Sequence, residues 1–406
     1  MILFYFGIFG FTEVSSKVLG LLEGADCTPL GGGQGVCKLL SKCGTIGDYK
    51  NNHPPICSFT GMSFEPNVCC PKKQPHISES GRKVKKICAE LNNIASNPHL
   101  MVSNITIEGF QSTKQDAVLA LSPKNHNGSG IAYMTGGAIY QSSNAFPVKI
   151  RSKYPYMTLI GFCDNEKERC DISEAKWKCG GSLITPWYVL CAAHCAVTPY
   201  DSAKWARLGN LKINDSTKST VNKRIERMMF YPQYQSTQLY HDIVLFKLES
   251  EVEFNCDVLP VCLQTERDIK QNKANIAGWG RTGSSQHMNN HLLEAEVNIY
   301  NDTECNKLMF ECVECKKEAI RMPRGYQSDY MFCAGDPENG TDTCQGDSGG
   351  PLVTRSAEYP HLDIQIGITS FGKKGCGGKR DAPGVYTRVS NYIPWIEEVA
   401  FKDVSE

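Results

Sequence analysis

The sequence predicts an all-β protein, an antiparallel barrel or sandwich, preceded by a small disulfide-rich module. Three observations carry that prediction. From about Tyr154 onward, short apolar or alternating runs recur: YMTLIGF, GSLITPWYVLCAA, DIVLFKL, NIAGWG, EAEVNIY and IQIGITSFG. Gly, Pro, Asn and Asp turns separate them, a spacing that fits antiparallel strands rather than alternating β and α units. The chain also carries 20 cysteines, an even and clustered set that argues for an oxidising, extracellular compartment. Six of these crowd into residues 27–70 as C-x9-C-x5-C-x13-C-x11-C-C, in a stretch too small to bury much apolar core. Disulfides must supply much of that module's stability.

In chain order, the start MILFYFGIFGF is apolar but too short to span a bilayer. Polar TEVSSK and then VLGLLEGA follow it, which reads as a signal peptide over residues 1–25 ending near Ala25. The cysteine module occupies residues 26–71. Its six cysteines, Cys27, Cys37, Cys43, Cys57, Cys69 and Cys70, allow about 15 connectivities, and spacing alone does not choose among them. Residues 72–134 hold one cysteine, Cys88, and the basic run GRKVKK, and read as a linker and activation region. The strand-forming body occupies residues 135–406. Its end, NYIPWIEEVAFKD, sets Ile393, Ile396, Val399 and Ala400 on one helical face, which predicts a C-terminal helix docked on the barrel. A chain of 406 residues suits two or more domains. The 43 basic and 43 acidic residues cancel, so neither a nucleic-acid partner nor a membrane-surface role is indicated. Five Asn-x-Ser/Thr sequons, at Asn104, Asn127, Asn214, Asn301 and Asn339, agree with secretion and are glycosylation candidates.

Three stretches contain the residue types that peptide hydrolysis needs: a nucleophile, a base and oxyanion donors. LCAAHC carries His194, HDIVLFKL carries Asp242 at the head of an apolar run, and CQGDSGGP carries Ser348 in a Gly-rich turn. In this reading His194 takes the Ser348 proton and returns it to the leaving amine, while Asp242 holds the imidazole tautomer. The glycines let the amides of Gly346 and Ser348 converge on an oxyanion. Cys179 and Cys195 bracket the His194 strand and are placed to staple it.

The octet CQGDSGGP, with AAHC and DIVL before it, resembles the chymotrypsin-like serine proteases from about residue 154 to 401. YPYM, CGGSLI, FYPQY, PVCL, AGWG, FCAG, GITSFG and PGVYTRVSNYIPWI extend the likeness. The cysteine module resembles the clip domain of arthropod proteases, and with GRKVKKICAEL and GITSFGKKGCG the chain looks closest to their Snake-like class. The resemblance implies two six-stranded β-barrels with the triad between them. It implies Asp342 as the floor of the specificity pocket and Gly372 and Gly384 as its walls, hence cleavage after Arg or Lys. It implies that Ser370 bonds the catalytic Asp. The disulfides it implies are Cys27–Cys69, Cys37–Cys57 and Cys43–Cys70 in the module, then Cys88–Cys262, Cys179–Cys195, Cys305–Cys333 and Cys344–Cys376. Cys163 and Cys170 read as a local bridge. Cys312 and Cys315 read as a second local bridge or a zinc pair, and Cys191 as either bonded to Cys256 or buried and free. No metal and no cofactor is expected.

The function so implied is a secreted endopeptidase zymogen in a cascade of haemolymph-like fluid, in immunity, melanisation or patterning. Its expected partners are a protein substrate (a downstream zymogen or pro-ligand), an upstream activating protease and a serpin inhibitor, with no nucleic acid and no membrane span. The alternative is a clip-domain homologue that scaffolds a cascade without catalysis. In the resembling family a freed amino terminus pairs with the acid before the nucleophile, here Asp347. Where the cut should fall, YMTGGAIYQSS offers Gly136 and Gly137 but no Ile-Val before them. Cutting after Tyr133 exposes Met134; the spacing to YPYM instead places the new terminus near Ser143.

Overall fold

The computed structural model describes residues 25–27, 35–40, 43, 56–59, 66–71, 80–97, 105–107, 110, 146–165, 170–215, 217, 219–281, 288–310, 321–336, 346–356, 358–372, 383–402 and 404. The expected signal peptide (all but Ala25), Asn104, Asn127, Met134, Ser143, Cys312, Cys315, Asn339, Asp342 and the Cys344–Cys376 bridge lie outside the described residues. The chain divides into two units, Met1–Glu79 and Ser80–Glu406.

The first unit is a four-stranded sheet in the order β1-β2-β4-β3. Its strands are β1 (Asp26–Cys27), β2 (Gly35–Leu39), β3 (Ile56–Phe59) and β4 (Pro66–Pro71). Successive side chains on a strand point to opposite faces. Cys69 therefore joins one buried cluster with Cys37 and Cys57, while Cys70 joins another with Cys43 and Val68. Disulfides Cys27–Cys69, Cys37–Cys57 and Cys43–Cys70 fasten both faces, and sulfur takes the place that aliphatic side chains fill in a larger core.

The second unit contains two closed six-stranded antiparallel barrels. β5 (Phe146–Pro147) leads in, and the first barrel runs β6 (Met157–Asp164), β7 (Lys176–Thr185), β8 (Tyr188–Cys191), β9 (Asp201–Leu208), β10 (Val221–Phe230) and β11 (Val244–Leu248). These close in the order β10-β11-β8-β7-β6-β9. β12 (Cys262–Leu263) follows, and then β13 (Lys273–Gly278), β14 (Leu293–Ile299), β15 (Met331–Gly335), β16 (Pro351–Arg355), β17 (Asp363–Phe371) and β18 (Gly384–Arg388). The pairing of β17 with β18 closes the ring β13-β14-β15-β18-β17-β16. Tyr154 and Tyr156, at the entrance to the first barrel, donate their hydroxyls to Glu294 (2.5 Å) and Asp363 (2.8 Å) of the second.

Among the described residues, three α-helices complete the unit: α1 (Arg82–Ser96), α2 (Asp302–Phe310) and α3 (Ile393–Ala400). On α3, Ile393 and Ile396 are buried together with an acid, Glu397. The stretch that composition reads as linker is in part a helix: Val84, Ile87, Cys88, Leu91 and Ile94 of α1 are buried in the same core as the first barrel. Cys88 is disulfide-bonded to Cys262, and Ile105 pairs with Phe254. The compact unit that holds the two barrels therefore takes in residues well before 135. Cys163–Cys170, Cys179–Cys195 and Cys305–Cys333 are further bridges, and Cys191 and Cys256 are both free.

Candidate active site

His194 sits on a short turn, Ala193–Cys195, that ends the chain's exit from β8. The Cys179–Cys195 bridge ties that turn back to β7. Asp242 lies just before β11 and is 4% exposed. Its neighbour His241 takes a left-handed φ of 55°, a conformation that is uncommon outside glycine. His241 is buried, with Nδ1 3.1 Å from the Tyr392 hydroxyl and its ring stacked on Tyr231. Burial, with Arg324 adding to it, pushes its pKa down to about 4, so it is neutral at physiological pH.

The Asp242 carboxylate collects three donors. Oδ1 accepts from the His194 backbone N–H (2.9 Å), and Oδ2 accepts from His194 Nδ1 (2.7 Å) and from the Ser370 hydroxyl on β17 (2.5 Å). Thr387 of β18 donates to the Asp242 carbonyl (3.0 Å). A carboxylate only accepts, so Nδ1 carries the proton and Nε2 keeps its lone pair, the tautomer a general base needs. Burial pushes the Asp242 carboxyl up, but the His194 ring and these hydrogen bonds outweigh it and hold the pKa below the usual value. Burial likewise disfavours the His194 cation, yet the adjacent Asp242 raises its pKa above the ordinary value.

Ser348 comes from the second barrel, on a turn between Gly346 (φ 103°) and Gly349 (φ 79°). Its carbonyl accepts from the Gly180 N–H of β7 (2.9 Å), and Gly349 N–H donates to Thr369 O (2.9 Å). A Cβ on Gly349 would collide with the Cys191 sulfur and the Gly180 carbonyl, so both its positive φ and its close approach demand glycine. Cys191 is buried and its thiol donates to the Gly180 carbonyl (3.1 Å); burial pushes its pKa up, so it stays protonated packing under this turn. Among the described residues, no hydrogen bond joins Ser348 Oγ to His194, whose Nε2 has Cys195 Sγ at 3.7 Å. Catalytic hydrogen bonds are often loose until substrate closes the site.

Asp347 accepts from the Gly280 N–H (2.7 Å). A Cβ at Gly278 or Gly280 would strike its carboxylate, so the AGWG segment is a notch cut to seat it. In the sequence AGWG stands only as part of the likeness, and its two glycines around a tryptophan are the local signal of this seat. Gly384 is buried at the head of β18, and Gly372, which is exposed, follows β17 where Phe371 pairs with Val385. His194 clusters with Cys179 and Cys195, and Cys27 with Cys37 and Cys57, at spacings a metal would accept. All five cysteines are in disulfides, which offer no thiolate to an ion. No helix among the described residues is long and apolar enough to cross a membrane.

Residues 153–396 match the family model described as Trypsin. Serine protease snk of Drosophila melanogaster is 33% identical over 393 residues, covering 96% of this chain and 82% of that protein. The clotting factor G beta subunit of Tachypleus tridentatus is 34% identical over 238 residues, 57% of this chain and 73% of that protein. The venom serine protease Bi-VSP of Bombus ignitus is 35% identical over 247 residues, 59% and 63% of the two chains.

Proposed function

This chain belongs to the trypsin family of serine proteases, and from that premise we propose that it is a secreted endopeptidase zymogen that cleaves after Arg or Lys in an extracellular cascade. The buried, triply bonded Asp242 against His194 Nδ1 carries the enzymatic part of the reading. His194 Nε2 takes the Ser348 proton as Oγ attacks the scissile carbonyl. Asp242 steadies the imidazolium so formed. The amides of Gly346 and Ser348 receive the oxyanion. His194 then returns the proton to the leaving amine, and water repeats the cycle on the acyl-enzyme. Asp342 as pocket floor, between the walls Gly372 and Gly384, favours a cationic side chain, since either charge alone is costly to desolvate.

The cascade reading draws on the relatives, one of them a clotting factor subunit. The proposed parts are a signal peptide over 1–25, a clip domain over 26–71 as a docking module, and a cut in the region that follows. The register of β5 supports one of the two candidate starts. Pro147 pairs with Leu293, and Leu293 pairs with Gly278, against which the Asp347 carboxylate lies. Two strand spacings make about 10 Å. An extended chain covers that in about three residues. This favours a start near Ser143 for an amine that pairs with Asp347, whereas Met134 leaves a surplus of chain.

The test is direct. The cut protein is offered an Arg-p-nitroanilide, and the assay is repeated with Ser348→Ala. Turnover by the cut wild type alone supports the enzyme. No turnover by either leaves the scaffold homologue as the reading. Amino-terminal sequencing of the activated heavy chain reads the start.

A further inference from the structure

Helix α1 begins badly for an isolated helix. Its first turn reads Arg82-Lys83-Val84-Lys85, three cations where the helix dipole favours anions, and it has no side-chain cap of its own. The missing cap comes from more than 300 residues away. Glu397, on the buried face of α3, accepts from Gly81 N–H through Oε2 (2.8 Å) and from Val84 N–H through Oε1 (3.1 Å). Gly81 itself lies at φ 89° against Thr265. The exchange is mutual, because Lys83 Nζ donates to the Phe401 carbonyl at the far end of α3 (3.2 Å). A lysine there suits the negative end of that helix.

Down its length, α1 turns Val84, Ile87, Leu91 and Ile94 into the main core at a helical spacing of three and four residues. Its outer edge is fastened as well: Lys85 pairs with Glu266 (3.6 Å) and His361 N–H donates to Asn92 (3.3 Å). The contact continues past the helix. Ile105 and Ile107 are buried in the same core, Ile105 N–H bonds the Phe254 carbonyl (3.0 Å), and the Phe110 ring packs on Phe254 and Phe401. Cys88–Cys262 is therefore one fastening in an interface that has many others.

We propose that residues 81–97, 105–107 and 110 form a non-covalent latch, which keeps the amino-terminal fragment bound to the protease body after the chain is cut between Phe110 and β5, with or without the Cys88–Cys262 disulfide. The partner of this surface is the chain's own severed amino-terminal segment. The basic run GRKVKK finds its use here, in the lock with α3. The biological occasion rests on the zymogen reading, but the latch itself does not depend on where the natural cut falls.

The test inserts a recognition site for an unrelated sequence-specific protease between Ser122 and Pro123, in a full-length Cys88→Ala/Cys262→Ala chain tagged at its amino terminus. A single cooperative melt before cutting shows that the variant folds. After cutting, native size exclusion and capture on the tag read whether the fragments stay together, and urea separates them as a control. The expected result is co-elution in native buffer. Adding Glu397→Gln should weaken retention about tenfold, since the charge is lost and one of the two accepting oxygens becomes an NH₂ facing an N–H donor. Adding Leu91→Ala should weaken it more, by about thirtyfold or beyond. Separation of the fragments on cutting the folded disulfide-free chain overturns the proposal. So does retention that neither added substitution alters. If the disulfide-free chain does not fold, the same cut is made with the disulfide intact and hydrogen exchange is read on α1. Persistent protection of α1 supports the latch, and its loss on cutting overturns it.

Discussion

The two barrels hold their halves of the candidate site by different means. The first presents His194 and Asp242 as a pair already locked, with three short hydrogen bonds converging on one buried carboxylate and a disulfide bracing the turn. The second presents Ser348 on a turn whose shape rests on glycine geometry, on backbone bonds to β7 and β17, and on Asp347 lodged at the Gly278–Gly280 notch. Contacts already made in the uncut chain, Ser370 and Thr387 of the second barrel among them, are enough to assemble the base. The nucleophile turn depends on a carboxylate whose pairing, in the proposed mechanism, changes when the chain is cut. Regulation by cleavage has its natural purchase on the second half and little on the first.

Substitutions that act on one half alone sharpen that contrast. The largest expected effect is Ser348→Ala, which should lower kcat on an Arg-p-nitroanilide by about 10⁴-fold or more, with substrate binding nearly unchanged. Asp242→Asn follows at about 10⁴-fold, because an amide in that place no longer enforces the Nδ1–H tautomer. It also tests the electrostatics. Asp242 raises the His194 pKa, and the base must be neutral to work. The acid limb of kcat/KM in the cut wild type should therefore have its midpoint above His194's ordinary value of 6.5, and Asp242→Asn should move the midpoint down. A midpoint that does not move would detach His194 from the rate.

Asp347→Asn addresses the other half. It should leave the fold and the His194 titration in place while costing about 10²- to 10³-fold in kcat of the cut enzyme, the size of losing an oxyanion donor. The uncut chain should be nearly indifferent to it. An equal loss before and after cutting would break the distinction between the halves. Ser370→Ala is the milder counterpart on Asp242. One of three donors is lost, so a loss of about tenfold in kcat/KM is expected.

The same division runs through what the sequence made legible. Motif residues at the chemistry could be read directly, because His194, Asp242 and Ser348 sit in short stretches whose composition serves one purpose. Many strand runs were legible too, but Asp201–Leu208, Val221–Phe230, Met331–Gly335, Pro351–Arg355 and Gly384–Arg388 lie outside them; lysines and arginines mask the alternation of the first two. What escaped was long-range. Val84, Ile87, Leu91 and Ile94 have helical spacing, but a basic first turn and a single cysteine made the stretch look like linker. Its cap, Glu397, sits amid the apolar face of α3, and nothing in that segment marks it as a cap. Capping across more than 300 residues leaves no local signature in either segment.

The clamps between the barrels provide the smallest and most discriminating prediction. Tyr156 donates to Asp363, whose carboxyl is pushed up by burial even though Tyr156 and Arg355 both favour its charged form. Removing the hydroxyl as Tyr156→Phe keeps the ring in its core position and deletes one donor to a poorly solvated acid. Stability should fall by about 1 kcal/mol at neutral pH. Asp363 stays raised, so the burial of its charge costs stability above its folded pKa and not below. In the variant that pKa rises further, and the deficit should shrink as pH falls through it and the carboxyl takes up a proton. Urea melts at pH 7 and near pH 4 measure both. Because Tyr156 touches neither His194 nor the Ser348 turn, kcat/KM of the cut enzyme should stay within about twofold of wild type. A larger drop in activity would mean that the barrels must be held in register for the locked base to meet the nucleophile, and that the two halves are less independent than their hydrogen bonds make them.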